Sequence, residues 1–284
     1  MENLIEIRGL SKCYHDFALE NVDLTVPAGC IVGLIGENGA GKTTTLKAIL
    51  NIVHPDSGEI RLMGKDPSDP ESRLQVGTVF EDSYFHDCLN ITKISRIMGK
   101  ICVNWDEKMF LNYCRRFRLS EEKTVGEFSR GMRMKLSLAT ALSRHPRLLI
   151  LDEATSGLDP VVRRQILDLF LEFIQDESCS ILMSSHITDD MEKVCDQIAY
   201  LHNGRMIFQE NKDELLESMA ILQCSKNNMD RLPADLVISR SDGAFGSAAL
   251  IRRRTELRRL FPDAVLEKPS LEDIMRFYSG GISK

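Results

Sequence analysis

Eight consecutive residues, Gly36-Glu37-Asn38-Gly39-Ala40-Gly41-Lys42-Thr43, match the spacing G-x-x-x-x-G-K-[ST]. That pattern serves the holding of a polyphosphate. Glycines let the backbone curl until successive N–H groups converge on phosphate oxygens, and a helix start at the same place adds partial positive charge. Lys42 would supply a full charge to the β- and γ-phosphates, and the Thr43 hydroxyl a ligand for Mg²⁺. The context agrees, because the apolar run Cys30–Ile35 precedes the loop and a helical run from Thr44 to Ile52 follows it. From average composition the four fixed positions arise by chance in roughly one chain of this length per hundred.

A second apolar run, Leu148-Leu149-Ile150-Leu151, ends in Asp152-Glu153. Carboxylates at the C-terminal end of a buried strand face the ligand crevice of an open α/β sheet. Asp152 is placed to hold the metal and Glu153 to orient and polarise an attacking water. A third run ends in Ser184-Ser185-His186, which sets an imidazole at the same rim. Ser129-Arg130-Gly131-Met132 opens a helical run that extends to Ser143, making a second anion-binding helix start in a chain with one phosphate loop. That second start is spare unless the nucleotide of another copy uses it. Taken singly, Ser129 also suits an N-cap, Asp159 a turn residue before Pro160, and His186 a surface histidine.

The elements that must carry these groups follow from periodicity. Short apolar runs alternate with helix-period segments, the pattern of an α/β domain. Strands are predicted at Leu4–Arg8, Cys30–Ile35, Glu59–Met63, Val76–Phe80, Leu148–Leu151, Ser180–Ser184, Gln197–Leu201 and Met206–Gln209. Three of them, Cys30–Ile35, Leu148–Leu151 and Ser180–Ser184, lack polar alternation and suit parallel strands buried on both faces. Residues 86–145 turn helical, with amphipathic stretches at Trp105–Arg116 and Met132–Ser143. Beyond 215 the character changes to short strands (Ala220–Cys224, Leu236–Arg240, Ala248–Ile251), a hairpin signal at Asp242-Gly243, and a last helix opened by Ser270 with Asp273. The expected domains are 1–215, with a helical insert at about 86–145, and 216–284, a small α+β accessory domain. Its basic cluster Arg252, Arg253, Arg254, Arg258 and Arg259 suits a solvated helix face, with a contact to anionic lipid or a partner as the alternative.

Composition sets outer limits. The 284 residues carry a net charge of −6, which argues against a nucleic-acid partner. The eight cysteines form no C-x-x-C pair and are expected to be reduced. No apolar run approaches the ~18 residues that span a bilayer, so any membrane role must come through a partner.

From about residue 3 to residue 215 the chain resembles the ATP-binding subunit of an ABC transporter. Gly36 to Thr43 stands as its Walker A loop, Asp152 and Glu153 end its Walker B strand, Ser129 to Met132 occupies the signature loop, Ser156 to Asp159 the D-loop, and His186 is the switch histidine. The resemblance implies a P-loop NTPase core with an antiparallel β subdomain and a helical insert. It implies ATP and Mg²⁺ as ligands, with ATP held by Tyr14 on adenine, by Gly36 through Thr44, and by Glu81 at the Q-loop position. Thr43, Glu81 and Asp152 would hold the metal, and Lys42, Glu153 and His186 would carry the reaction. A second ATP-binding subunit would contribute Ser129, Arg130, Gly131, Met132 and Asp159 in trans, and integral membrane subunits would dock beside Phe80, Tyr84, Phe85 and Leu89. The location implied is the inner face of the cell membrane.

The departures from the family are Arg130 and Met132 in the signature, Glu81 in place of glutamine, and Ala154 in place of proline. Asn104-Trp105-Asp106-Glu107 and Pro269 to Met275 resemble a subgroup, the Gram-positive exporters of peptides, antibiotics or other amphiphiles. A soluble ABC-type ATPase without a membrane partner is the alternative. Asn211-Lys212-Asp213-Glu214 comes near a guanine-reading motif but leaves the signature loop and His186 unexplained.

Overall fold

Every residue of β3 (Ile31–Ile35), β6 (Leu148–Asp152) and β7 (Ser180–Ser185) is buried, as strands covered on both faces must be. In the computed structural model, which describes residues 2–81, 84–224, 232–243, 246–261 and 265–280, these strands lie side by side and parallel. With β5 (Val76–Val79), β8 (Gln197–His202) and β9 (Arg205–Asn211) they form a six-stranded sheet of order β5-β6-β7-β3-β8-β9. The register sets Ile35 opposite Ser185 and Asp152 opposite Ser184. The loops that follow the three strands therefore leave one edge of the sheet together.

A second sheet, of order β2-β1-β4, is antiparallel. The predicted strand Leu4–Arg8 is the first half of a longer β1 (Asn3–Cys13), and β4 spans Ser57–Leu62. The ten-residue β2 (Ala18–Pro27) is absent from the sequence reading. Its inward positions Leu19, Val22, Leu24 and Val26 break step once, where Asn21 turns to φ 50° and the pairing with β1 shifts register. That irregularity hides the period of two. Leu4, Ile5, Leu24 and Leu62 share one apolar core with Val32, Leu34, Leu46 and Leu182, so the two sheets pack through common side chains.

The helices start where capping chemistry permits. Asn90 opens α3 (Ile91–Ile101), Asp106 opens α4 (Glu107–Arg116) and Ser129 opens α5 (Arg130–Leu142), each side chain accepting a backbone N–H of the first turn. The expected start at Trp105 moves to Glu107 because Asp106 is the cap. The expected start at Met132 moves back to Arg130 for the same reason. Between β4 and β5 lies the short α2 (Pro70–Leu74), opened by Asp69.

The chain divides into two compact units, Met1–Gln209 and Glu210–Lys284. In the second, the helix Lys212–Ser218 is capped by Asn211, which accepts the N–H groups of Asp213 and Glu214. The near-match to a guanine-reading motif is thereby a helix cap. A four-stranded sheet follows, with β10 (Ala220–Cys224), β11 (Val237–Gly243), β12 (Gly246–Ile251) and β13 (Leu266–Glu267) in the order β11-β12-β10-β13. Asp242 and Gly243 pair with Ser247 and Gly246 as the last rungs of the ladder. They are strand residues, so the turn expected at Asp242-Gly243 is not found there, and residues 244–245 lie outside the described residues. Ser270 and Asp273 make the expected reciprocal cap, Asp273 N donating to Ser270 Oγ and Ser270 N to Asp273 Oδ2, both at 3.1 Å. In the basic cluster Arg253 pairs with Asp235 and Glu256, while Arg252, Arg258 and Arg259 face solvent.

Among the described cysteines Cys114, Cys179 and Cys195 are buried, and burial pushes the Cys114 thiol up to about 12. Such a thiol packs as a small hydrophobe. Cys13 and Cys88 are exposed.

Leu182 is fully buried at the centre of the sheet. Leu182→Ala is expected to cost about 2–5 kcal/mol, read as an earlier urea midpoint for the first unit.

Candidate functional site

The phosphate-loop residues leave β3 and turn directly into α1 (Lys42–Ile49), which begins without a side-chain cap. Gly41 sits at φ 108°, and a Cβ there would stand 2.4 Å from Leu19 Cδ2 and 2.8 Å from Phe17 Cζ. Only glycine lets the loop backbone pass this close to both side chains. Asn38 and Gly39 at the tip are exposed, whereas Ala40 is buried. Lys42 is only 7% exposed; its Nζ donates to the carbonyls of Gly36 (2.7 Å) and Glu37 (3.2 Å) and lies 3.8 Å from Glu153 Oε1. Burial lowers the Lys42 pKa, and the carboxylates of Glu153 and Asp152 partly offset that.

Beside it the Thr43 hydroxyl donates to Asp152 Oδ2 at 2.8 Å. The other oxygen of Asp152 accepts from Ser184 Oγ at 2.5 Å, and that hydroxyl in turn accepts the N–H of Glu153. Ser184 belongs to this hydrogen-bonded cluster, although residue type alone does not single it out. Its one signal was a hydroxyl at the end of an otherwise apolar strand. Glu153 stands at φ 53°, an unusual conformation for a side-chain-bearing residue. It turns the carboxylate away from Asp152 and toward His186, whose Nδ1 lies 2.7 Å from Glu153 Oε2. A carboxylate held between an imidazole and a buried ammonium is equipped to polarise a water aimed at phosphorus.

The remaining expected residues lie apart from this cluster. Ser129 Oγ accepts from Met132 N at 3.3 Å, and Asp159 accepts from Val161 N and Val162 N at the start of α6 (Pro160–Phe173). In the single chain both act as helix caps. Gly131 is packed against Val162, where a Cβ would stand 3.2 Å from Cγ1, and Met132 is half-buried. Glu81 pairs with Arg130 at 2.8 Å. Tyr14 follows β1, 43% exposed, and stacks on Phe17 with ring centroids 6.5 Å apart. Through Phe17 it reaches the wall of the phosphate loop.

A family model described as ABC transporter matches residues 19–156. The ABC transporter ATP-binding protein YtrB of Bacillus subtilis (strain 168) is 29% identical over 98% of this chain and 99% of its own length. The bacitracin transport ATP-binding protein BcrA of Enterococcus faecalis is 32% identical over 76% of this chain and 71% of its own. A solved structure of an ATP-binding subunit of an ABC transporter superposes with TM-score 0.67 at 30% identity, over 75% of this chain and 92% of that one. The chain belongs to the ABC transporter ATP-binding proteins.

An ABC ATPase subunit binds and hydrolyses ATP, dimerises, and works with membrane transporter partners. Among the described residues no helix is long and apolar enough to cross a membrane. The donor set suits Mg²⁺, which prefers hard oxygen ligands and keeps several waters beside substrate phosphates. A hydroxyl and one carboxylate, already hydrogen-bonded to each other, supply what the protein must give.

The lowered pKa means that the Lys42 charge is less well solvated here than in water. The cost is present below the folded pKa and disappears as pH rises towards the unfolded value of 10.5. Between pH 7 and pH 10 the thermal midpoint of the nucleotide-free wild type is therefore expected to rise relative to that of Lys42→Met, as paired melting curves would reveal.

Proposed function

We propose that this ABC ATPase powers an exporter of peptides, antibiotics or other amphiphiles, working at the inner face of the cell membrane. Two copies, or this chain and a paralogue, would sandwich two Mg·ATP. The observation that carries this reading is the Lys42–Glu153–His186 arrangement. It lies at one sheet edge, while the serine-led start of α5 carries its cap without touching that cluster. One chain thus holds a phosphate cradle, a metal seat and a base. The second anion-binding helix start would serve the nucleotide of a partner.

In this proposal Gly36 through Thr44 hold the phosphates and Tyr14 stacks on adenine. Thr43, Asp152 and Glu81 face the metal, which when bound neutralises phosphate charge. Ser129, Arg130, Gly131, Met132 and Asp159 complete the site from the partner. Glu153 orients the water, His186 holds Glu153, and Lys42 balances charge on the γ-phosphate. Catalysis is then positioning and charge stabilisation, and stabilising groups supplied in trans are worth ~10³–10⁵ in rate in other NTPases.

The membrane partner would dock in an apolar groove of about 650 Å³ whose lining includes Ile52, Leu74, Phe80, Tyr84 and Val103. Phe80 and Tyr84 meet edge-on in its wall, 5.8 Å between centroids. The export of an amphiphile is supported by the 32% identity to a protein named for bacitracin transport.

Two measurements test the dimeric site. The specific ATPase activity should fall by at least a hundredfold on dilution to monomers; constant specific activity would overturn the shared site. Glu153→Gln should retain ATP binding and run at twice the monomer mass in gel filtration with Mg·ATP. Elution at the monomer position with nucleotide bound counts against the assignment.

A further inference from the structure

Two departures from the family pattern turn out to be one feature. Glu81 stands where an amide is usual and Arg130 where a glycine is usual, and the structure joins them, Arg130 Nη2 donating to Glu81 Oε1 at 2.8 Å. The same guanidinium lies on the backbone of Gly157. A Cβ there would stand 2.8 Å from Arg130 Nη1 and 2.9 Å from its Cζ, and Gly157 sits at φ +66°. One side chain thereby ties together the three loops that begin α5, follow β5 and follow β6. The pair lines a cleft of about 320 Å³ with Phe128 and Arg133.

The local electrostatics are not those of a structural salt bridge. Arg130 and Arg133 occupy the first turn of α5, which contains no acid, so two cations sit at the positive end of the helix dipole. Arg133 is committed, donating to the carbonyls of Val125 and Gly126. Arg130 is about half exposed, as is Glu81, and an exposed pair of this kind is weak and readily exchanged. Magnesium and a phosphate would each outbid the existing partner, the metal for the carboxylate and the phosphate for the guanidinium.

We infer that Glu81 and Arg130 form an exchangeable charge pair. Each neutralises the other in the single chain, and closure of the dimer separates them, Glu81 turning to the metal side of its own nucleotide and Arg130 to the γ-phosphate of the partner. The pair makes closure depend on the metal, because a carboxylate released without Mg²⁺ faces the phosphates. This inference rests on the proposed nucleotide sandwich.

The test uses full-length protein carrying Glu153→Gln, with the ATP concentration for half-maximal dimerisation read by light scattering, in Mg²⁺ and in EDTA. Arg130→Gln should raise that concentration in Mg²⁺ tenfold or more, and Arg130→Lys should raise it less. Glu81→Gln should lower it in EDTA about three- to tenfold. The exchanged double variant Glu81→Arg with Arg130→Glu restores the pair but offers a carboxylate to the phosphate, and should remain monomeric at saturating Mg·ATP. Dimerisation of the exchanged variant at the parental concentration overturns the inference, and so does an Arg130→Gln variant that matches its parent. If the exchanged variant melts early, the comparison of Arg130→Gln with Arg130→Lys decides. A parent that stays monomeric removes the sandwich itself, and the inference with it.

Discussion

Parallel hydrogen bonding from β6 through β7 to β3 sets Asp152 beside Ser184 and Ser185 beside Ile35. Each strand ends at the same level, so the next residue in each chain segment, Glu153, His186 or Gly36, enters the same space. No other element could bring together groups that lie about a hundred residues apart in the chain. The burial of all three strands makes this register hard to slip, since a one-residue shift would carry polar ends into an apolar layer. The site is therefore as rigid as the sheet that carries it.

Within that frame the charges are arranged at some cost. Lys42 is buried with its pKa lowered, and Glu153 holds a left-handed backbone conformation worth roughly 1–3 kcal/mol of strain. Both costs serve one end. The ammonium points along the phosphate loop, and the Glu153 carboxylate is turned out of line with Asp152 so that the two acids face different partners. Asp152 is tied to Thr43 and Ser184, Glu153 to His186. In the proposed function the two adjacent carboxylates would then take a metal-facing and a water-facing role.

The groups expected from a second subunit behave differently. Ser129 and Asp159 spend their oxygens on their own helices, and Arg130 spends its charge on Glu81. A cap of this kind is weak and local. It leaves the helix starts preformed, so that a nucleotide meeting them would pay little in ordering side chains.

Short range decided what could be known in advance. The phosphate loop, the paired acids and the strand-end histidine were legible because their chemistry depends on residue type and on spacing within a few positions. The three buried strands were legible because they have no polar alternation to misread. The strand β2 was not, since a left-handed Asn21 and a register shift break its period of two. Asp242-Gly243, expected as a turn, pairs with β12 instead, since ladder pairing outweighs local turn preference. Ser184 as a partner of Asp152, and Glu81 as a partner of Arg130, lay beyond sequence reasoning altogether. Those contacts join residues 32 and 49 positions apart, and only the stacking of strands in three dimensions determines which distant side chains meet.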